Sequence, residues 1–230
     1  MAESPVLLIT GASTGIGAAT ARAAVDAGYR VVLGARSEDK LAKLAEELGG
    51  DEHALPRRCD VADWEEQQAL VATALEGYGR VDAVFANAGF GAKRGFLEGT
   101  VEEWKSMIDT NVLGVALSIR AALPHFLEAN AGHFVLTSSI AGRRALPGSL
   151  YSATKFAVTS MGEGLRQQVS DTPIRVALIE PGMVDTPFFD DPVQNALEPE
   201  DISRAVMYVL SQPPHVDVNE VLIRPVNQPI

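Results

Sequence analysis

The sequence is poor in cysteine, in basic charge and in long apolar runs, and each shortage excludes a class of protein. Cys59 is the only cysteine in 230 residues, which excludes an internal disulfide and suits a reducing, cytoplasmic compartment. Acidic residues outnumber basic ones by 30 to 19, and the net charge of −11 argues against nucleic acid or an anionic membrane surface as a partner. No apolar stretch approaches the roughly 18 residues of a membrane span. No basic segment precedes the short apolar run at residues 6–9, so no signal peptide is expected.

Metal-ligand spacing, internal repeats and low-complexity segments are also missing. The four histidines show no ligand spacing and no cysteine cluster joins them, so we expect no metal site. The sharpest break, Pro213-Pro214, precedes only one last predicted strand. Residues 1–230 are therefore predicted to form one domain.

Short β-branched runs alternate with longer helical patterns along the chain. Several of the runs are continuously apolar, as expected of strands that are covered on both faces. This alternation predicts an α/β fold, in which helices wrap both sides of a doubly wound parallel sheet. Asp63 with Glu66 and Thr100 with Glu103 have the spacing of capping boxes at two helix starts. The predicted strands cover residues 6–10, 30–34, 54–59, 81–86, 133–137, 174–179 and 221–223.

A glycine-rich turn follows the first predicted strand and leads into the first helix. Glycines let the backbone turn sharply and approach a pyrophosphate closely, and a helix N-terminus offers free N–H groups. The spacing Gly-x-x-x-Gly-x-Gly differs from the commonest dinucleotide fingerprint, but ligands of such sheets lie at the carboxyl ends of the strands. We therefore predict a phosphate cradle, rather than a turn without a ligand, formed by Gly11, Ser13, Thr14, Gly15, Ile16 and Gly17.

Arg36 follows the second predicted strand, where dinucleotide-binding sheets recognise the ribose of the cofactor. An acidic residue there would hold a ribose 2′-OH and repel a 2′-phosphate, whereas Ala35 carries no charge. The planar guanidinium of Arg36 suits a phosphate. The two residues favour NADP(H) over NAD(H), and the competing interpretation is a solvated arginine at a strand end.

Tyr151 and Lys155 place a phenol and an ammonium on one face of a predicted helix, because residues i and i+4 lie above one another. A free phenol has a pKa of about 10 and is a poor acid at neutral pH. A nearby cation favours the phenolate, so we expect Lys155 to lower the pKa of Tyr151. Such a pair is suited to proton transfer onto or off a carbonyl oxygen. The spacing also occurs by chance, so its weight depends on the surrounding motifs.

Several further motifs, in order along the chain, resemble the short-chain dehydrogenase/reductase family in its compact, single-domain branch. The resemblance covers nearly the whole chain and implies a Rossmann-like catalytic domain with a nicotinamide cofactor. It also implies hydride transfer between an alcohol and a carbonyl compound. The motifs are TGASTGIG at 10–17, CDV at 59–61, ANAG at 86–89, TNVLG at 110–114, SSIAG at 138–142, YSATK at 151–155 and PGMVDT at 181–186.

The resemblance implies a role for each matching residue. Tyr151 would be the general acid in carbonyl reduction, and Lys155 would bind the nicotinamide ribose and lower the tyrosine pKa. Asn111 would hold a water that connects Lys155 to solvent, and its structural alternative is to cap or kink a helix. The other matching positions would contact the cofactor. Asp60 and Val61 would hold the adenine, and Asn87, Ala88 and Gly89 would line the cofactor and steady the central sheet. The nicotinamide carboxamide would be positioned by Pro181, Gly182, Val184 and Thr186.

The catalytic serine has two candidates because two serines are adjacent. Ser138 has the family's usual separation from the tyrosine, whereas the Ser-x-x-Gly pattern selects Ser139, one residue closer. We favour Ser139, since the local turn aims its hydroxyl and the loop at 143–150 accommodates a one-residue deletion. Its role would be to hydrogen-bond the substrate oxygen as negative charge develops there. Ser138 remains the alternative.

The substrate is less defined than the chemistry. Two cationic pairs, Lys93-Arg94 and Arg143-Arg144, are predicted on loops near the mouth of the site and favour a small hydroxy or keto acid. Two other functions stay open. One is a redox-sensing NADP-binding regulator without turnover, and the other is an imine or alkene reductase on the same scaffold.

The connection after the PGMVDT motif is short, which predicts an open pocket with Phe188 and Phe189 as an apolar wall. In the family, the helix that carries the tyrosine commonly forms a subunit interface, so we expect a homo-oligomer, either a tetramer or a dimer. Packing within the monomer is the alternative. The small residues on that helix that would permit close packing are Ala153, Ala157 and Gly164.

Overall fold

The computed structural model describes residues 4–189 and 191–228, and the strands in these ranges form one sheet. The strands are β1 (Val6–Thr10), β2 (Arg30–Ala35), β3 (Ala54–Arg58), β4 (Ala83–Ala86), β5 (Gly132–Thr137), β6 (Ile174–Pro181) and β7 (Glu220–Ile223). Their spatial order is β3–β2–β1–β4–β5–β6–β7, and every neighbouring pair is parallel. The predicted α/β, Rossmann-like doubly wound sheet is confirmed. The assignment of residues 1–230 to one domain stays a prediction, with which this sheet is compatible.

Helices cover both faces of the sheet. They are α1 (Gly15–Asp26), α2 (Glu38–Glu47), α3 (Trp64–Tyr78), α4 (Val101–Ile108), α5 (Gly114–Ala129), α6 (Leu150–Gln168) and α7 (Pro199–Leu210). Short 3₁₀ turns lie at Gly50–Glu52 and Ile140–Gly142, and a π-helical turn at Asp109–Leu113 joins α4 to α5.

Two apolar layers form the core, one on each face of the sheet. Because the strands are parallel and covered on both sides, their side chains are buried in both directions. One layer packs α3, α5 and α6 on the sheet and includes Leu70, Phe126 and Leu165. The other layer packs α1, α2 and α7 and includes Ala21, Leu41 and Val206.

The two predicted capping boxes have different outcomes. At the start of α4, Thr100 accepts from the Glu103 N–H at 3.1 Å and Glu103 accepts from the Thr100 N–H at 2.7 Å, which confirms that box. At the start of α3, Asp63 accepts from the Glu66 N–H at 2.9 Å. The Glu66 carboxylate, however, accepts from the Asp60 N–H at 2.6 Å and pairs with an arginine of β3. The second box is therefore half wrong. The bond to the Asp63 side chain is present, but the Glu66 carboxylate is occupied by the Asp60 N–H and the arginine.

The continuous helical stretch Val101–Ala129, formed by α4, the π-helical turn and α5, is long and apolar enough to cross a membrane by length and composition. This is weak evidence, because the core helix of a soluble protein passes the same test. The stretch packs against α3, α6 and the sheet, and it carries Asn111 into the interior. The expectation that no membrane is a partner stays a prediction.

The strand order reverses between β1 and β4, so their carboxyl ends border a crevice, which is where open α/β sheets bind ligands. The glycine-rich turn follows β1, Asn87 follows β4 and Ser139 follows β5. Tyr151 lies in the first turn of α6. The topology therefore gathers the predicted site residues at one edge of the sheet.

Candidate active site

The glycine-rich turn forms an open cradle between β1 and α1. Gly11 and Gly15 have φ angles of +66° and +54°, a region that side chains other than glycine rarely adopt. A Cβ atom on Gly17 would lie 2.3 Å from the Gly11 carbonyl oxygen, so only glycine fits there. Thr14 occupies the N-cap of α1 without a side-chain capping bond, and the first turn holds no acidic residue. The N-terminal amides and dipole of α1 are therefore available to an anion.

Asn87 connects this cradle to the central strands. Its backbone N–H donates to Thr10 Oγ1 at 3.0 Å, and its Nδ2 donates to the Thr10 carbonyl oxygen at 3.2 Å. Thr137 at the end of β5 donates to Asn87 Oδ1 at 3.4 Å. A Cβ atom on Gly11 would lie 2.9 Å from the Cα atom of Ala88, so the two turns are in contact.

Asn111 lies in the π-helical turn and is fully buried. Its Nδ2 donates to the Phe90 carbonyl oxygen at 2.8 Å and to Thr154 Oγ1 at 3.2 Å, while its Oδ1 accepts from the Phe90 N–H at 3.0 Å. A Cβ atom on Gly89 would lie 3.1 Å from Asn111 Oδ1 and 3.6 Å from Lys155 Nζ. The side chain thus anchors the loop after β4 beside Lys155, and the predicted water-holding role stays a prediction.

Lys155 is buried, with 4% of its surface exposed, and its ammonium donates to the Thr137 carbonyl oxygen at 2.8 Å. Burial disfavours the charged form and lowers the pKa of Lys155 to about 8. The lysine is therefore fixed in place and titrates close to neutral pH.

Tyr151 lies beside Lys155, with the ammonium 5.7 Å from the ring centroid. Burial raises the pKa of Tyr151 to about 12, and a hydrogen bond from Ser139 opposes that rise. The expected lowering of this pKa is wrong for this structure, because burial of the phenol dominates and Lys155 is not among the groups that shift it. Tyr151 is consequently a neutral phenol at pH 7.

The two adjacent serines point to different partners. Ser139 caps the 3₁₀ turn by accepting from the Ala141 N–H at 3.1 Å, and it donates to the Pro181 carbonyl oxygen at 3.3 Å. Its hydroxyl also lies close enough to Tyr151 to oppose the rise in the pKa of that phenol. Ser138 donates to the Lys155 carbonyl oxygen at 3.1 Å, inside the protein. The geometry favours Ser139, since only its hydroxyl is directed at the phenol.

The segment after β6 faces the glycine-rich turn across the crevice. A Cβ atom on Gly15 would lie 3.2 Å from Thr186 Cβ. Val184 is buried at 5% exposure and pairs with Leu197, so its side chain belongs to the core. The end of β7 lies behind the segment, because the Gly182 N–H donates to the Ile223 carbonyl oxygen at 2.6 Å.

An aromatic wall covers Tyr151. The Phe188 ring meets the Tyr151 ring edge-on at a centroid distance of 5.5 Å and contacts Phe189 at 5.1 Å. A Cβ atom on Gly91 would lie 2.8 Å from the Phe188 ring, so this ring also touches the loop after β4. The predicted apolar wall is therefore present, and it lies directly against the phenol.

The chain is similar in sequence and in structure to known proteins along nearly its whole length. A family model for short chain dehydrogenase matches residues 5–196. The chain belongs to the short-chain dehydrogenase family. An uncharacterized oxidoreductase of Staphylococcus saprophyticus is 40% identical to this short-chain dehydrogenase. The alignment covers 97% of the present chain and 98% of the Staphylococcus protein. The motif resemblance is thereby confirmed, and the protein is an oxidoreductase of this family.

Two solved structures extend the likeness to cofactor complexes. An alcohol dehydrogenase from the archaeon Thermococcus sibiricus, complexed with 5-hydroxy-NADP, has a TM-score of 0.90 and 35% identity, and the alignment covers 98% of both chains. The closed form of a serine dehydrogenase complexed with NADP+ also has a TM-score of 0.90, with 32% identity over 97% of this chain and 96% of that chain. Relatives with the same fold therefore bind NADP compounds.

The crevice of this short-chain dehydrogenase fits a dinucleotide. The glycine cradle leaves no room for a Cβ atom at Gly17, and the N-terminus of α1 is not capped by its own side chains, as a pyrophosphate site requires. Gly11 to Gly17 would hold the phosphates, and Lys155 with the segment 181–186 would hold the nicotinamide end. In the described ranges, 4–189 and 191–228, no three His, Cys, Asp or Glu side chains could together hold a metal ion, so the expected lack of a metal site stays a prediction.

Two arginines, Arg36 and Arg58, lie at the ends of β2 and β3 (here called the nucleotide rim), and they differ in their ion pairing. Arg36 directly follows β2 and is exposed, with no ion pair to any described residue. Arg58, which pairs with Ala35 in the sheet register, is bound to Glu66. Of these two arginines, Arg36 is thus the one that has no ion pair with a described residue and could engage a ribose phosphate.

The two residues of the predicted adenine site are already engaged in local contacts. Asp60 is half-buried, and its Oδ1 accepts from the Ala62 N–H at 3.1 Å. Val61 is buried, and its carbonyl oxygen accepts from Gln67 at 3.0 Å.

Arg143 does not match the role expected for it. Its guanidinium donates to Glu180 at 2.7 Å and pairs with Glu220, so its charge is neutralised within the protein. The expectation that it recognises a substrate carboxylate is therefore wrong. Lys93, Arg94 and Arg144 are exposed and pair with no carboxylate of the described residues.

Sequence reasoning missed several residues that organise the site. Thr10 and Thr137 act through backbone and hydroxyl oxygens, for which a sequence carries little signal. Glu180 is 1% exposed, and its signal was a lone carboxylate directly after the apolar run at residues 176–179 of β6. A buried charge needs a partner, and that requirement would have directed attention to Arg143.

Proposed function

We propose that this protein is an NADP-dependent oxidoreductase that interconverts a secondary alcohol and a carbonyl compound by hydride transfer. The observation that carries the proposal is the cluster of Ser139, Tyr151 and Lys155 at the carboxyl edge of the sheet, beside an open phosphate cradle. Asn111 donates to the hydroxyl of Thr154, the residue before Lys155, and a Cβ atom on Gly89 would lie 3.6 Å from Lys155 Nζ. A protein that only bound the cofactor would have no use for a buried proton donor in this position.

The chain's own residues provide the proton transfer. When bound, the nicotinamide cofactor supplies or accepts the hydride, which no protein side chain can do. Tyr151 gives its proton to the substrate oxygen in carbonyl reduction, and its pKa of about 12 keeps it protonated at neutral pH. Ser139 donates to the same oxygen as negative charge develops there.

The cofactor preference rests on Arg36. This residue is exposed beside the end of β2, and the neighbouring Ala35 carries no carboxylate that would repel a phosphate. Two solved relatives that hold NADP compounds support the same choice. NADP(H) is therefore the proposed cofactor.

A small hydroxy or keto acid is the proposed substrate class. Arg94 and Lys93 are exposed cations on the loop after β4, and the Gly95 N–H donates to the Gly148 carbonyl oxygen at 2.8 Å. That bond places the loop next to the segment that leads into Tyr151. A serine dehydrogenase among the solved relatives acts on a hydroxy acid, which supports the same class.

A homo-oligomer, tetramer or dimer, is the proposed assembly, and the cytoplasm the proposed location. Apolar side chains are exposed on α4, on the π-helical turn that follows it and on α6, including Ile108 (41%), Leu113 (44%) and Phe156 (43%). Gly164 of α6 has open space in front of it, which permits close helix contact. Sedimentation velocity tests this: a dimer or tetramer that Phe156→Lys dissociates supports the proposal, and a monomeric wild type contradicts it.

The test of the function is loss of reduced-nicotinamide absorbance with NADPH and NADH side by side. The panel pairs each keto acid with its methyl ester and adds ketones, aldehydes, cyclic imines and activated alkenes. We expect reduction of carbonyl compounds with NADPH preferred, and faster reduction of the acid than of its ester. Tight NADPH binding without any reduction would indicate a regulator, and turnover restricted to imines or alkenes would indicate the other alternative.

A further inference from the structure

Arg143 joins three parts of the active-site wall. It directly follows the 3₁₀ turn Ile140–Gly142, and its N–H donates to the Ile140 carbonyl oxygen at 3.0 Å. Its Nε donates to Glu180 at the end of β6 at 2.7 Å, and its Nη2 pairs with Glu220 of β7. One planar guanidinium therefore connects the turn after β5 to the carboxyl end of β6 and to the first residue of β7.

Glu180 is the buried member of this cluster. Its side chain is 1% exposed, burial raises the pKa of its carboxyl, and the hydrogen bond from Arg143 opposes that rise. A buried carboxylate without a partner costs several kcal/mol, so the guanidinium is the reason that a charge is tolerated here. The carboxylate therefore holds Arg143 in one orientation.

The cluster surrounds Ser139 on two sides. Ser139 begins the turn that Arg143 ends, and the Gly142 N–H donates back to the Ser139 carbonyl oxygen at 2.8 Å. Pro181, the residue after Glu180, accepts the Ser139 hydroxyl bond at 3.3 Å. Both the backbone that carries the hydroxyl and the carbonyl that orients it are thus linked through one ion pair.

We propose that Arg143 is a positioning residue, which fixes the hydroxyl of Ser139 beside Tyr151 by clamping the Ser139 turn to Glu180 and Glu220. The proposal rests on the proposed role of Ser139 in carbonyl reduction. Arg144 is the matched control, because it is the next residue on the same loop and its exposed side chain pairs with no carboxylate of the described residues.

The kinetic test compares Arg143→Met with Arg144→Met in steady-state reduction of the best uncharged ketone of the panel, which offers no carboxylate for either arginine to bind. Arg143→Met should lower kcat by about thirtyfold, because a displacement of about 1 Å can cost that much, and should change KM by less than about threefold. Arg143→Lys keeps the charge but not the fork that bridges two carboxylates, so it should recover part of kcat. Arg144→Met should leave both constants unchanged.

A double-mutant cycle shows whether Arg143 acts through Ser139. In a Ser139→Ala background, Arg143→Met should lower kcat by less than about threefold, since the hydroxyl it positions is gone. Equal losses in both backgrounds would overturn the proposal. Recovery of kcat in Arg143→Met/Glu180→Gln would also overturn it, because the loss would then come from an unpaired charge alone.

A second readout does not need turnover. The Ala141 N–H donates to Ser139 Oγ, so its hydrogen exchange by NMR reports the position of that hydroxyl. Arg143→Met should accelerate this exchange about tenfold, and Arg144→Met should not. Unchanged exchange in Arg143→Met overturns the clamp. Faster exchange in Arg143→Met, combined with a wild type that reduces no carbonyl, would retain the clamp and reject the proposed function.

Discussion

The proposed catalytic cluster (Asn111, Ser139, Tyr151 and Lys155) and the proposed nucleotide rim around Arg36 lie at the same edge of the sheet, but one is largely buried and the other is exposed. In the cluster, Asn111 and Lys155 are buried and hydrogen-bonded to backbone atoms of neighbouring elements. At the rim, Arg36 is exposed and has no ion pair with a described residue. The proposed proton transfer therefore rests on buried groups that the fold holds in place, whereas the proposed preference for NADP(H) rests on one solvent-exposed side chain.

The buried cluster and the exposed rim also differ in what their charged side chains cost the stability of the fold. Lys155 is held against its preference for water, which its lowered pKa records. Arg36 has no such constraint. Substitutions in the cluster should consequently change both turnover and stability, while substitutions at the rim should change only cofactor selection.

The largest effect is expected from Tyr151→Phe, which removes the proton donor and keeps the ring. The value of kcat for carbonyl reduction should fall by about a thousandfold. NADPH affinity, measured by fluorescence titration, should change by less than about threefold. Tyr208→Phe is the control, since that tyrosine is 55% exposed on α7. Activity of Tyr151→Phe near that of the control would remove the phenol from its role.

Ser139→Ala should lower kcat by about a hundredfold, because it deletes a donor to the developing oxyanion. Ser138→Ala is the matched comparison, since its hydroxyl is buried against α6 and faces away from the phenol. It should lose thermal stability and retain most of kcat. Steady-state kinetics with thermal unfolding separates the two serines, and a greater kcat loss in Ser138→Ala would reverse the assignment.

Lys155→Met should stabilise the fold while abolishing efficient turnover. The folded pKa of about 8 lies below the unfolded value of 10.5, so the unfolded state binds more protons between these values. The lysine therefore destabilises the fold below pH 8, and this cost disappears as the pH rises through 10.5. After about 1 kcal/mol is deducted for the lost bond to Thr137, the gain at pH 7 should be about 2 kcal/mol.

Urea unfolding at pH 7 and pH 10 checks this result, with Lys105→Met of α4 as the exposed control. The advantage of Lys155→Met should shrink at the higher pH, and the control should show no change at either pH. A variant that is less stable than wild type at both pH values would contradict the burial cost.

Arg36→Ser should have the smallest and most selective effect. The apparent Kd for NADPH should rise about tenfold through loss of a charge-assisted phosphate contact, and the Kd for NADH should stay within about twofold. Arg57→Ser, an exposed arginine near the end of β3, controls for general positive charge at this edge. Equal losses for both cofactors would show that the rim does not read the 2′-phosphate.

The sheet was largely predictable, and so was the gathering of the proposed site residues at one edge of it, because motif and topology agree. Continuous apolar runs defined the strands, and the topology then brought Gly89, Asn111 and Lys155 together although they are far apart in sequence. The pKa of Tyr151 was not predictable, because spacing reveals a neighbouring charge but not the degree of burial. Arg143 was misassigned for a similar reason, since its partner Glu180 lies on another strand.

Transfer of deuterium from the cofactor to the product tests the central claim most directly. The wild-type enzyme is mixed in a single turnover with a carbonyl substrate and NADPH deuterated at either C4 position, and the alcohol is analysed by NMR. The account predicts that one of the two deuterated cofactors places its deuterium on the carbinol carbon, with NADPH consumed in equal amount. Alcohol without deuterium from either form, or no consumption of NADPH, would contradict it.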